Sequence, residues 1–308
     1  FSGNPADTIV NAGFLALTHC FHLTNANILI ESLTVTNSQG HGFYLDGTGT
    51  VRNCIITGHE GQRGGGVYFN RGGLVDRCVI RGNNNTRYEA GGAHIYKGGT
   101  LRNSLVIDNT TAAYAGAGVT MDASPSLVEN CTIVKNTGPL CGGVYGAVGG
   151  GAVKNSILAE NLSPNNPDHA GTIAFTYTRA DPIPGGEGNT NADPQFVSAA
   201  GGHYRLLPSS PLLNGGTNQD WMAGAGDLDG LPRQAGASVD LGCYEYQPGA
   251  LDCAFSANPA SGFPSAAVTF TGVAAGTDTV GVVYFWDFTN SGMFTLSGAG
   301  LSVVTNVY

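Results

Sequence analysis

Six segments of this chain align on one another, and the second residue of each carries a charge of alternating sign. They are IESL at 30–33, VRNC at 51–54, VDRC at 75–78, LRNS at 101–104, VENC at 128–131 and VKNS at 153–156. The charged column is Glu31, Arg52, Asp76, Arg102, Glu129 and Lys154, with steps of 21, 24, 26, 27 and 25 residues. That period is about one coil of a β-solenoid. Alternation of sign follows if successive repeats stack as neighbouring rungs, which lie roughly 4.8 Å apart in a sheet. Each charge then meets opposite charges above and below. The ladder fixes an architecture and gives most charged residues a structural role.

A second column keeps the same register: FHL at 21–23, FYL at 43–45, VYF at 67–69, AHI at 93–95, VTM at 119–121 and VYG at 144–146. Strand alternation sends their first and third residues inward and leaves His22, Tyr44, Tyr68, His94, Thr120 and Tyr145 pointing out. Glycines such as Gly42, Gly66, Gly92 and Gly118 punctuate the approach to these strands. A third turn carries Asn37, Asn83, Asn109, Asn136 and Asn161, whose side chains are expected to bond from coil to coil. No amphipathic helical period of useful length occurs. The expected fold is all-β, a parallel β-helix.

The composition narrows the partners. Of 308 residues 48 are glycine, and the net charge is −9 with three lysines, Lys97, Lys135 and Lys154. Such a chain is poorly suited to nucleic acid or an anionic membrane surface, and no apolar run reaches membrane-spanning length. The chain opens at Phe1, almost directly in the repeat, so its first residue is expected not to be that of the gene. Cys54, Cys78 and Cys131 share an inward column with Leu33, Ser104 and Ser156 and read as small core fillers. Cys243 and Cys253, near a domain junction, are candidates for a disulfide staple. Cys20 and Cys141 have no assignable partner.

Past residue 160 the repeat fades. The strings GGEGNTNADPQFV (185–197), GGHYRLLPSSPLLNGG (201–216), DLDGLPR (227–233) and VDLGCYEY (239–246) follow. Over roughly residues 10–247 the chain resembles right-handed parallel β-helix proteins of the choice-of-anchor Q domain type, which implies a bacterial secreted or surface protein. Cys243 departs from the small residue usual there. Residues 181–247 are expected to cap the end of coils spanning 1–180, since an open β-helix end exposes an apolar cross-section. After Gln247-Pro248-Gly249, the segments CAFSANPASGFPSAAVTFTG and VVYFWDF resemble a polycystic-kidney-disease-type (PKD) domain, an immunoglobulin-like sandwich. The resemblance implies that 250–308 is a sandwich lacking its last strands, which either the gene continues or a neighbour supplies. Trp286 would lie beside such a borrowed strand.

Chemistry is tested on the outward face of the FHL-to-VYG column. Asp46, Asn70, Tyr96 and Asp122 flank it. Asp46 and Asp122 stand three rungs apart, roughly 14 Å at 4.8 Å per rung, whereas glycosidic carboxyl pairs need about 5–9.5 Å. His94 with Tyr68 and Tyr96 is the nearest approach to a lyase base, with no acidic cluster expected beside it. Tyr44, Tyr68, His94, Tyr96 and Tyr145 form a candidate glycan face, or serve as cross-strand packing partners. Asp227 and Asp229 in DLDG could ligate Ca²⁺ or simply shape a turn; no other cofactor is implied. Sequons stand at Asn84, Asn109, Asn130 and Asn161.

Two outward columns after the Cys/Ser column are apolar over several rungs. Ile55, Val79, Leu105 and Ile157 lie in one, Ile107 and Val134 in the other. So large a patch should be covered by the cap, the sandwich or another subunit. The reading is an extracellular or cell-surface structural and adhesive protein, a self-assembling surface or filament subunit whose partners are copies of itself, with polysaccharide as a further candidate partner. The alternatives are a β-helix polysaccharide lyase or hydrolase and a glycan-binding module.

Overall fold

A computed structural model describes residues 5–13, 19–61, 64–86, 89–112, 115–123, 125–248, 252–258, 267–275, 284–286, 296–298 and 302–307. Three seven-stranded parallel sheets make up the coils. Sheet A stacks Ile9–Asn11, Thr34–Thr36, Ile55–Thr57, Val79–Arg81, Leu105–Ile107, Thr132–Val134 and Ile157–Ala159. Sheet B stacks Phe21–Leu23, Phe43–Leu45, Val67–Phe69, Ala93–Ile95, Val119–Met121, Val144–Gly146 and His169–Gly171. Sheet C stacks Leu29–Glu31, Thr50–Arg52, Leu74–Asp76, Gly99–Arg102, Ser126–Glu129, Ala152–Lys154 and Ala174–Thr176. Each coil runs B, C, A, and period-2 alternation sends one apolar set inward from every sheet. Ile56, Ile80, Val106 and Ile133 from A, Phe43, Phe69, Ile95 and Met121 from B, and Val51, Val75, Leu101 and Val128 from C build one continuous core.

The register is the one the charge ladder implies. Glu31 pairs with Arg52, Arg52 with Asp76, Asp76 with Arg102, Arg102 with Glu129 and Glu129 with Lys154. The expected solvated column is, however, covered at Asp76 and Glu129, while Glu31 is exposed and Arg52, Arg102 and Lys154 are half-buried. Asp76 is 6% exposed and accepts from Arg102 Nε at 3.2 Å and Asn103 Nδ2 at 3.0 Å, with Arg52 Nε at 3.6 Å and Arg77 Nε at 3.8 Å. Glu129 is buried too, and that burial pushes its carboxyl up against the pull of Arg102 and Lys154.

Two corners explain the asparagines. Between sheets C and A a single residue turns the chain in the left-handed region: Asn53 (φ 49°), Asn103 (47°), Asn130 (49°) and Asn155 (47°), with Arg77 (52°) at the same place. Asparagine tolerates this conformation better than most L-residues. Between sheets A and B runs the buried ladder. Asn83 donates from its backbone N–H and Nδ2 to Asn109 Oδ1, Asn109 likewise to Asn136, and Asn136 to Asn161, at 3.0–3.1 Å. Each Nδ2 also reaches a sheet A carbonyl, such as Ile80 O from Asn109 at 2.9 Å. Asn37 is not in this column as expected; it is the left-handed residue before it (φ 61°), and Ser38 and His59 fill the column in the early coils. His59 stands in for asparagine. Its Nδ1 accepts from Ser38 N–H at 3.2 Å and its Nε2 donates to Val35 O at 3.1 Å. At the other end Asn161 donates to Asp168, which also takes Arg179 Nη1 and Asp181 N–H.

The stretch expected to cap the coils resolves into three pieces. Residues 177–192 continue the stack irregularly on the last rung, through parallel bridges from Ile157 to Arg179 and from Arg179 to Thr190. Residues 214–245 lie instead along the side of the coils. Asn155 exchanges two bonds with Thr217 at 2.9 Å, Cys243 N–H donates to Thr132 Oγ1 at 3.1 Å, and the Trp221 ring lies 4.3 Å from the Arg102 guanidinium. Gly242 has its place because a β-carbon there would meet Thr132 Oγ1 and Ile157 Cδ1 at 2.7 and 2.9 Å. Residues 193–213 group with 246–308 in a second compact unit, while 1–192 and 214–245 form the first.

The second unit is antiparallel. Asp252–Asn258, Ala267–Ala275 and Val303–Val307 form one sheet with Ala267–Ala275 central, Tyr284–Trp286 pairs Leu296–Gly298, and Phe196–Ser198 pairs His203–Leu206. Small antiparallel sheets of this kind agree with the expected sandwich. The Trp286 side chain, Asp287 and Phe288 lie outside the described residues. The expected Cys243–Cys253 staple is not formed at Cys243, a buried free thiol pushed up to about 12 by desolvation; the Cys253 side chain lies outside the described residues.

Candidate functional site

The outward face of sheet B gathers rings over its first four rungs. Parallel pairing puts His22 beside Tyr44, Tyr44 beside Tyr68 and Tyr68 beside His94. Their centroids are 4.8, 5.2 and 5.2 Å apart. A second layer comes from the residues just before the strands. His19 stacks on Tyr44 at 4.7 Å and on His41 at 4.8 Å, and His41 stacks on Tyr68 at 5.2 Å. Tyr96 adds a further ring 6.2 Å from Tyr68, with Lys97 Nζ over its face at 4.8 Å. Offset and edge-on arrangements of this kind suit the ring quadrupoles.

Sequence reasoning missed His19 and His41, although HCFHL at 19–23 and HGFYL at 41–45 repeat one pattern 22 residues apart. These rings are held neutral. Burial first, then neighbouring His19, lowers His41 to about 3, and burial followed by His22 lowers His19.

Polar groups flank the rings. Asp46 accepts from Asn70 Nδ2 at 2.8 Å and Arg71 Nε at 2.9 Å, with His22 Nε2 at 3.8 Å. His94 Nε2 lies 2.9 Å from Asp122 Oδ2, and its Nδ1 lies 3.7 Å from Glu89 Oε2. The expectation that no acidic cluster stands beside His94 is therefore corrected, since Asp122 and Glu89 flank its two ring nitrogens. So is its exposure: His94 is 0% and Tyr68 4% exposed, Tyr68 stacked on His41 and both rings against Tyr96. Tyr44 and Tyr96 are half-buried and His22 is open to solvent. Tyr145, also half-buried, is separated from the group by buried Thr120, whose hydroxyl is tied to Gly116. The accessible part of the expected glycan face is thus Tyr44 and Tyr96 with His19, His22 and Arg71.

The other expected sites have structural occupations. Asp227 Oδ1 accepts from Asp229 and Leu231 N–H at 3.0 and 2.9 Å and Oδ2 from Glu245 N–H at 2.9 Å, so the Asp227 carboxylate locks the DLDG turn. Among the described residues no group of three or more His, Cys, Asp or Glu is placed to hold a metal ion. Leu105, Ile107, Val134 and Ile157 of the expected interface stripe are buried within the chain, Ile157 against Gly242, while Ile55 and Val79 are half-buried. Among the sequons Asn109, Asn130 and Asn161 are buried in the corners. Among the described residues no helix is long and apolar enough to cross a membrane.

A chain of three parallel stacked sheets with a ring-lined outer face defines a β-solenoid protein. Residues 7–176 match the family model described as a right-handed beta helix region, and the chain belongs to that family. Neither the curated proteins nor the solved structures compared with it gave a match.

Proposed function

We propose that the protein is an extracellular or cell-surface adhesive scaffold that holds a polysaccharide against the ring cluster of sheet B. The observation that carries this reading is the half-open patch of Tyr44, His19, His22 and Tyr96, flanked by the Asp46–Asn70–Arg71 group. Ring faces are apolar and suit a sugar ring, and the flanking donors and acceptors match its hydroxyls. The rigid β-helix would carry the patch outward. The likeness to choice-of-anchor Q proteins and the PKD-like segment fit a secreted surface component. Self-assembly into a layer or filament has less support, since much of the apolar stripe is covered by the chain itself.

The test is retention on immobilised polysaccharides of neutral and acidic classes, with titration calorimetry on any that bind. Tyr44→Ala should weaken binding by tenfold or more with an unchanged melting temperature. Absence of retention on every class overturns the proposal.

A second reading, a β-helix lyase or hydrolase, draws on the Asp122–His94–Glu89 arrangement. It requires His94 to become accessible. Release of unsaturated uronate that disappears in His94→Ala would install it in place of adhesion.

A further inference from the structure

The lateral segment 214–245 is built unlike the coils beneath it. Its regular structure is one short 3₁₀ turn, Asp220–Met222, and one isolated bridge between Gly226 and Pro232. Its polar anchors on the coils are few, Thr217 on Asn155, Trp221 on Arg102, and Gly242 and Cys243 on Asn155 and Thr132, and they are joined by the buried side chains of Met222, Val239, Leu241 and Cys243. Segments with few ladder bonds belong to the low-stability end of a structure and open before it.

Inside the segment sits a buried ionic cluster of one guanidinium and three carboxylates. Arg233, 0% exposed, gives Nη2 to Glu245 Oε2 at 3.2 Å and to Asp240 O at 2.9 Å. Glu245 Oε2 also accepts Asp240 N–H at 3.0 Å and Oε1 accepts Ala235 N–H at 3.2 Å. Asp240 Oδ1 accepts Asn214 N–H at 2.7 Å, and Asp227 holds Glu245 N–H. Through these bonds the cluster ties both ends of the segment, near 214 and 245, to its middle.

We propose that residues 214–245 form a pH-responsive latch on the side of the β-helix, closed while the Arg233–Asp227–Asp240–Glu245 cluster carries a proton and loosened when it does not. One buried cation cannot balance three buried anions, so the cluster holds together best with one carboxyl neutral. Glu245 is the site of that proton: burial first, with Arg233 opposing and Asp240 adding, raises it to about 7. Asp227 is raised by burial as well, with Asp229 adding and Arg233 opposing. From the coils the charged neighbours of the segment are Arg77 near Gly230, Arg102 under Trp221, and Glu129; the Cys243 thiol beside the cluster stays protonated.

The sign follows from linkage. The folded value of Glu245 lies above its ordinary 4.5, so its contribution is complete below pH 4.5 and is lost as pH rises through 7. The latch therefore weakens as pH rises from acid to neutral and is weakest just above 7. Opening would uncover Arg102, Glu129, Thr132 and Ile157 on the flank of the coils.

Hydrogen exchange with mass readout on the whole chain, from pH 5.5 to 9 and corrected for intrinsic rates, tests this. Protection across 214–245 should fall by up to about tenfold per pH unit from pH 5.5 to about 7 and level off above it, as one proton linked to opening requires. Peptides from sheets A, B and C should hold their protection. In Glu245→Gln the fall should vanish. Should that variant fail to fold, Arg233→Met supplies the check, with the segment unprotected at every pH. Protection that is flat with pH in the wild type, that survives Arg233→Met, or that falls unchanged in Glu245→Gln, overturns the latch.

Discussion

The coils and the lateral latch satisfy their buried polar groups in opposite ways. In the coils each group meets the residue at the equivalent position one rung away. Asn109 bonds Asn136 as Asn136 bonds Asn161, and Asp76 sits between Arg52 and Arg102. In the latch every partner is unique: Asp227 locks its own turn, Glu245 takes Asp240 and Ala235, and Cys243 reaches Thr132 across 111 residues. A nearest-neighbour stack spreads the loss of one rung onto two others. A latch concentrates its hold in a few contacts and can release as a unit.

The largest effect should come from cutting the buried ladder. Asn136→Ala strips Asn109 N–H and Val106 O of this partner and leaves Asn109 Nδ2 with Ile80 O alone. At roughly 1–3 kcal/mol for each stranded group, the loss is about 5 kcal/mol in a urea titration. A loss below about 1 kcal/mol would break the claim that rungs depend on the column. Next is Asp76→Lys, which lines up like charges with Arg52, Arg102 and Arg77 around a nearly buried position. Breaking a buried pair costs roughly 3–5 kcal/mol, well above an exposed surface pair, so little change in melting temperature at low salt would show the column to be solvated after all.

His59 gives a test with a gain. Burial, with the Val35 carbonyl opposing, lowers it to about 4 from 6.5. A depressed histidine contributes stability that is present above pH 6.5 and lost as pH falls through its folded value. The difference is about 3 kcal/mol at the acid end. His59→Asn restores the side chain used at 83, 109 and 136 and should keep the bonds while removing that part of the acid sensitivity; acid melting curves that coincide with wild type would refute the equivalence. The smallest effect should be Thr132→Val, which leaves Cys243 N–H without its acceptor. It should cost about 1–2 kcal/mol, read as faster exchange in 214–245 and not in the coils. Equal loosening of both regions would erase the distinction drawn above.

Much of the solenoid was legible because its constraint is periodic. The column Glu31 to Lys154 gave the register of sheet C residue for residue, and the FHL-to-VYG column gave sheet B. Where the ladder changes residue type the pattern was harder to see. His59 shares with asparagine one acceptor and one donor, a similarity of hydrogen bonding and not of sequence class. Asn37 looked like a ladder member because it lies one place from it. The site was partly legible: Tyr44 and Tyr68 were singled out, while His19, His41, Arg71 and Glu89 sit on loops whose path only the fold defines.

The sequence by itself determined that the chain stacks, which residues share a column, and which of those face the core, since a repeat of one coil length carries that information locally. Tertiary structure alone decided burial on the outer faces. It covered His94 and Tyr68, brought Asp122 and Glu89 to His94, and laid 214–245 along the coils instead of across their end. Those outcomes rest on non-periodic contacts between residues far apart in the chain, and a column pattern encodes none of them.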